Sequence, residues 1–201
     1  MPEIIKPDLS GVRRINVVGS SGSGKSTFSN ALANILQVRH IEMDALFWGP
    51  DWHWPSDEEF FGKLRAAVSK ENWVLDGNYN RTIDIKWEEV DMVVWLDPGF
   101  PTTFFRSVKR AFKRSLTREE IWEGTGNRES FRKSFFSNDS IILWSVTNFR
   151  SIRRKYEALS VEEKYSHIRF VRLKTPSETE AFLKIVREHH KPASDKPALT
   201  A

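Results

Sequence analysis

Residues Gly19-Ser20-Ser21-Gly22-Ser23-Gly24-Lys25-Ser26-Thr27 place a lysine and two hydroxyls directly behind a run of small residues. That order suits one chemistry, the grip on a polyphosphate. Gly19, Gly22, Ser23 and Gly24 let successive backbone N–H groups turn inward, Lys25 reaches the β- and γ-phosphates, and Ser26 is placed to ligate Mg²⁺, with Thr27 beside it. A helix starting here adds its partial positive charge. The expected substrate pair is therefore ATP with Mg²⁺. Moving a phosphoryl group asks mainly for positioning and for cations around the transferring charge.

Three carboxylates stand where such a site needs them. Asp76 and Asp97 each follow a short apolar run, Trp73-Val74-Leu75 and Met92-Val93-Val94-Trp95-Leu96. Either could serve Mg²⁺, which takes one or two carboxylates, or could cap a turn. Asp44 ends another run and faces the crevice where doubly wound sheets bind ligands, as a general base or as a turn residue. Phe47, Trp48, Trp52 and Trp54, joined by Tyr79, offer flat faces for an acceptor or a satellite core. His53 is expected to make a local hydrogen bond rather than to hold a metal.

The elements that position these groups follow from apolar spacing. Val12 to Val18 reads as a first strand, and Phe28, Ala31, Leu32, Ile35 and Leu36 as one face of a helix. Val38 to Glu42 is a second strand. Ser56 with Glu59 forms a capping-box pattern before Phe60, Phe61, Leu64, Ala67 and Val68. The Trp73 and Met92 runs are strands buried on both faces, and Ile168 to Leu173 is a fifth. Helical stretches run from Thr102 to Arg114, from Ile141 through Ile152, and from Ala181 to Val186. Strands separated by helices imply a parallel sheet with α crossovers, an α/β fold.

The chain has 201 residues and no cysteine, which excludes disulfides, thiol catalysis and Cys-ligated zinc. Its expected organisation is one domain over 1–190 followed by a disordered tail, 191–201. The expected residence is cytoplasmic, with no membrane span and no signal peptide. Charge is uneven: residues 1–100 hold 10 Lys and Arg against 15 Asp and Glu, and 101–201 hold 21 against 12. Arg106, Arg110 and Arg114 recur at i, i+4, with Arg118 one turn on. They form a cationic stripe for phosphates or a solvated face.

With these pieces placed, the chain resembles the P-loop nucleoside-monophosphate-kinase-like proteins, of which adenylate kinase is the familiar member. The likeness rests on Gly19 to Thr27, on Val74-Leu75-Asp76-Gly77, on Arg106 and Arg110, and on the order of elements. Asp44-Ala-Leu-Phe-Trp48 and Asp76-Gly-Asn-Tyr79 look most like the group labelled DNA topology modulation or FlaR-like. The resemblance implies a five-stranded parallel sheet in the order 2-3-1-4-5, helices on both faces, and a short basic lid over about 115–132. It implies Arg106 near the donor base and phosphates, with Arg110 and one or more of Arg114, Arg118, Arg128 and Arg132 closing on the phosphates. Where adenylate kinase has Phe-Pro-Arg after its Asp-Gly pair, this chain has Asn78-Tyr79-Asn80-Arg81, with Arg81 one place later.

The activity expected is transfer from ATP·Mg²⁺ to a nucleotide, nucleoside or small metabolite by a monomer or homodimer. Two alternatives stand beside it: an ATP-binding regulator associated with DNA, and a nucleotide-binding module with weak hydrolysis. No zinc finger, zipper or recognition helix is visible, so specific nucleic-acid binding is not expected.

Overall fold

A computed structural model of the chain describes residues 9–117, 120–122, 124–128 and 141–190, with 141–145 as backbone alone. Arg118, Arg132 and the tail 191–201 lie outside the described residues. Five strands form one parallel sheet in the order β2-β3-β1-β4-β5, as expected: β1 is Arg14–Gly19, β2 Arg39–Glu42, β3 Trp73–Asp76, β4 Met92–Leu96 and β5 Arg169–Leu173. All four pairings are parallel. Helices α1 (Lys25–Leu36), α2 (Met43–Phe47), α3 (Asp57–Val68), α4 (Ile83–Lys86), α5 (Phe100–Thr117), α6 (Ile141–Leu159) and α7 (Pro176–His190) make the connections.

Alternation along the buried strands divides the core into two layers. Ile15, Val17, Val74, Met92, Val94 and Leu96 pack with Phe28 and Leu32 of α1 and Phe182 and Val186 of α7. Val18, Leu75, Val93 and Trp95 point the other way, against Phe47, Phe60, Leu64 and Ile83 of α2 to α4 and Tyr156 of α6. Helices thus cover both faces, which is why β3 up to Asp76 and the whole of β4 read as apolar runs. Truncating the fully buried Leu64 to alanine would cost about 2–5 kcal/mol through lost transfer energy and the cavity left behind. One polar residue sits inside the central strand. Asn16 donates to Leu75 O at 3.0 Å and accepts from Trp87 Nε1 at 2.8 Å, so its amide does not go unpaired.

Register decides where chemistry can occur. Asp76 aligns with Val17 on one side and Glu42 on the other, and Gly19 aligns with Leu96. Gly19, Glu42, Asp76 and Asp97 therefore leave the sheet at the same edge, the carboxyl ends of the strands, where open α/β sheets take their ligands. The Ser56 hydroxyl accepts from Glu59 N at 3.1 Å and caps α3, as the capping-box pattern anticipates. Two short helices were not read in the sequence: α2 continues directly from β2, and α4 follows a 3₁₀ turn over Asn80–Thr82. Among the described residues no helix is long and apolar enough to cross a membrane.

Candidate active site

The loop between β1 and α1 turns on glycines that nothing else could replace. Gly22 has φ 76°, and a Cβ there would lie 2.3 Å from Thr103 O and 2.5 Å from Ser107 Oγ. Gly19 has φ 147° with Leu96 O 2.3 Å from the same position. The loop is thus pressed against β4 and against the small-residue stripe Thr103, Ser107 and Ala111 of α5, all buried. Gly24 precedes α1 in the left-handed region, and Ser26 and Thr27 are exposed on the first turn. Ser23 is buried, and its hydroxyl has no hydrogen-bond partner among the described residues.

Lys25 folds back under this loop, donating from Nζ to Gly19 O at 3.0 Å and Ser20 O at 3.1 Å. Burial pushes its pKa below the ordinary lysine value; Asp76 and then Asp44 oppose that shift, and Arg110 adds to it. Asp76, Asp44 and Arg110 thus all lie within electrostatic reach of Lys25. From α5, Arg110 Nη2 donates to Ser21 Oγ at 2.8 Å, and Arg106 Nη1 lies 3.7 Å from where a Gly24 Cβ would stand. Arg114, one turn further, acts electrostatically on Glu42, whose pKa is raised by burial first and by Asp76 second. Three arginines of the stripe thus reach the loop or the strand ends beside it.

Asp76 is buried, 3.4 Å from His40 Nε2, and its Oδ2 has no hydrogen-bond partner among the described residues. Asp97, its counterpart on β4, is fully engaged elsewhere: Oδ1 accepts from Arg153 Nε at 3.0 Å and Oδ2 from Arg172 Nε at 2.9 Å. Arg172 also lies over the Trp95 ring at 4.0 Å. The two strand-end aspartates thus face different partners. No cluster of three or more His, Asp or Glu suited to a metal occurs among the described residues.

The acceptor-side residues come together around α2. Asp44 accepts from Tyr79 Oη at 2.8 Å, and burial followed by the Asp44 charge drives the Tyr79 pKa upward. Arg81 is bound to Asp57 at 2.8 Å, with its guanidinium 5.2 Å from the Phe47 ring centre and 5.5 Å from that of Phe60. Trp48 and Trp52 meet edge to face, 5.5 Å apart. Within the stretch Phe47 is core, whereas Trp48 and Trp52 are half-buried and Trp54 is exposed. His53 is exposed, and its backbone N donates to Pro50 O.

Sequence reasoning passed over several residues here. Asn78 binds both the N–H and the carbonyl of Gly19, at 3.1 and 2.8 Å. Buried Lys86 donates to Gly77 O at 3.1 Å and to Asn78 O. Trp122 packs on Trp48 and Trp52, and Asn127 ties 124–128 to the aromatic turn by accepting from Trp52 N at 2.8 Å and donating to Gly49 O at 2.9 Å. Arg128 pairs through its backbone with Glu120 in an antiparallel bridge and is exposed. The signal that could have exposed Trp122 and Asn127 was present: a tryptophan and a side-chain amide flanking a Gly-Thr-Gly turn.

No family model and no curated protein matches the sequence. Among solved structures the chain is similar to a shikimate kinase from Acinetobacter baumannii in complex with shikimate, at 15% identity and TM-score 0.52, covering 90% of this chain and 94% of that one. It is also similar to a gluconokinase from Sinorhizobium meliloti 1021, at 15% identity and TM-score 0.48, covering 89% and 91%. At that identity the first likeness shows the fold, a P-loop NTPase sheet with helices on both faces.

Proposed function

We propose that this chain is a P-loop kinase that transfers the γ-phosphoryl group of ATP to a small acceptor held beside Asp44. The observation that carries the reading is that Lys25, folded under the loop, has Asp76 and Asp44 within electrostatic reach while Arg110 of α5 bonds Ser21 of the same loop. A donor loop alone would need only the first two. A carboxylate on the acceptor side and a guanidinium on the loop are what a transfer site adds.

Each residue then has a part. The loop N–H groups and Lys25 take the phosphates, with Lys25 exchanging its carbonyl partners Gly19 and Ser20 for phosphate oxygens. Arg110 and Arg106, on α5, neutralise charge on the transferring group and toward the donor base. The residues present fit one Mg²⁺: Ser26 offers an exposed hydroxyl, and Asp76 a buried oxygen that no described group satisfies. Bound there, the ion would neutralise phosphate charge. Asp97 is assigned to structure, because its two oxygens already serve Arg153 and Arg172. Asp44 orients the acceptor hydroxyl and takes its proton.

The experiment is a screen of nucleosides, nucleotides and small hydroxyl metabolites for acceptor-dependent formation of ADP. At least one acceptor should raise ADP release at least tenfold over the acceptor-free rate. ATP binding with no acceptor response across all three classes would replace this reading by a nucleotide-binding module.

A further inference from the structure

Tyr156 of α6 carries a hydroxyl into a place that packing alone would fill with a plain ring. It is 1% exposed, with the Trp95 and Trp87 rings 5.9 and 6.5 Å away, centre to centre. A phenylalanine would pack there equally well, and a hydroxyl buried so deeply needs a partner. That partner is Asn78, whose Oδ1 lies 3.2 Å from Tyr156 Oη. Burial pushes the Tyr156 pKa upward, so the hydroxyl keeps its proton and donates to the amide oxygen.

Asn78 has no freedom left in how it stands. The Gly19 N–H at 3.1 Å and Tyr156 Oη together fill the two lone pairs of Oδ1, and Nδ2 donates to Gly19 O at 2.8 Å. A turned amide would set Nδ2 against the Gly19 N–H, donor against donor. Lys86 fixes the backbone of the same turn by donating to Gly77 O at 3.1 Å and to Asn78 O. Asn78 in turn fixes Gly19, whose carbonyl receives Lys25 Nζ at 3.0 Å. Three consecutive hydrogen bonds thus run from Tyr156 to the lysine of the phosphate loop.

The same face of α6 reaches the other side of that loop. Arg153, Tyr156 and Glu157 stand three and four residues apart, the spacing of one helix face. Arg153 Nε donates to Asp97 Oδ1 at 3.0 Å, and Glu157 Oε1 accepts from Arg172 Nη2 at 3.0 Å. Asn78 follows β3 and Asp97 follows β4, the strands on either side of β1. Helix α6 therefore holds both neighbours of the strand that ends in Gly19.

We infer that Tyr156 is a positioning residue of the donor site: its hydroxyl locks the Asn78 amide, which sets Gly19 and the carbonyl on which Lys25 rests. This rests on the donor half of the kinase reading, ATP at the loop from Gly19 to Thr27. Tyr156 acts through Asn78 and not on the nucleotide itself.

The test is Tyr156→Phe, which removes one oxygen and keeps the ring. Calorimetry with ATP and Mg²⁺ should give a Kd raised about three- to tenfold, the span that one hydrogen bond sets. Hydrogen exchange of the Gly19 N–H, followed by NMR, should quicken by a similar factor while that of Val17, within β1, stays the same. In an Asn78→Ala background Tyr156→Phe should change Kd by less than twofold, because the route is already cut. Should Asn78→Ala fail to fold, Kd and Gly19 exchange in Tyr156→Phe decide the matter. If either stays within twofold of the parent, the inference is overturned. Equal weakening in both backgrounds overturns it too, since Tyr156 would then act by another route. A parent protein that binds no ATP removes the kinase reading instead, and Gly19 exchange still decides whether Tyr156 holds the loop.

Discussion

Asn78 clasps Gly19 from both sides: its Nδ2 donates to the Gly19 carbonyl at 2.8 Å, and its Oδ1 accepts the Gly19 N–H at 3.1 Å. A side-chain amide thus stands in for one more rung of the β1–β3 ladder, just past the Val17–Asp76 pair. The Gly19 carbonyl also receives Lys25 Nζ, so Asn78 sets the oxygen from which Lys25 departs when phosphate arrives. Asn78→Ala should raise the KM for ATP roughly tenfold, in keeping with the ~1–2 kcal/mol that its two hydrogen bonds to Gly19 are worth; a third, from Tyr156 Oη at 3.2 Å, is lost with them. An unchanged KM in a folded variant would remove Asn78 from the donor site.

Lys25→Ala should reduce ATP turnover more than tenfold with the circular dichroism spectrum unaltered, because the ammonium neutralises charge on the transferring group. Turnover within about threefold of the parent would contradict the donor assignment, since tenfold corresponds to ~1.4 kcal/mol.

The strand-end aspartates should separate under the same substitution. Asp76→Asn is expected to raise the Mg²⁺ concentration for half-maximal activity, with little loss of stability. Asp97→Asn should lower Tm, because Arg153 and Arg172 lose a charged acceptor worth about 2–3 kcal/mol even in their partly exposed setting. A shift in Mg²⁺ dependence from Asp97→Asn alone would exchange the two roles.

Lys86 gives a pH signature. It is buried with two carbonyls for partners, and burial first, with Lys155 second, holds its pKa well below 10.5. Between that depressed value and the unfolded value, the unfolded chain binds the extra proton, so stability rises with pH in this window. Relative to Lys86→Met, the parent protein should gain stability as pH climbs toward 10.5, by at most ~1.4 kcal/mol per unit. Thermal melts of the two proteins that run parallel across the window would show that Lys86 has no depressed pKa.

The inner strands β3 and β4 were legible because they are buried on both faces and carry their apolar character in consecutive residues, as Met92 to Leu96 does. The donor loop was legible because all its chemistry is local. What could not be read is what depends on distant partners. Asp76 and Asp97 look alike in sequence, each an aspartate closing an apolar strand. What separates them is Arg153 and Arg172, 56 and 75 residues further on. Likewise the Gly-Thr-Gly turn marks Trp122 and Asn127 in the sequence, but only the fold sets Trp122 on Trp48. Arg81 stands one place later than the family's Arg, and nothing local signals that Asp57, at the start of α3, would meet it.

Duplex DNA should bind only weakly, with Kd of roughly 10⁻⁴ to 10⁻⁶ M at physiological salt, as non-specific attraction to a basic surface does. Because Arg106 and Arg110 lie at the donor loop, ATP should weaken that attraction further. Sequence-selective nanomolar binding at 150 mM salt would favour the regulator over the kinase.

The absence of any space for a Cβ at Gly22 has a mechanical consequence. With Thr103 O and Ser107 Oγ against it, the loop lies directly on α5, and the Arg110–Ser21 bond ties the two at a second point. Enlarging Gly22 would therefore push the loop off the helix that carries Arg106 and Arg110, and would misplace donor backbone and cations together.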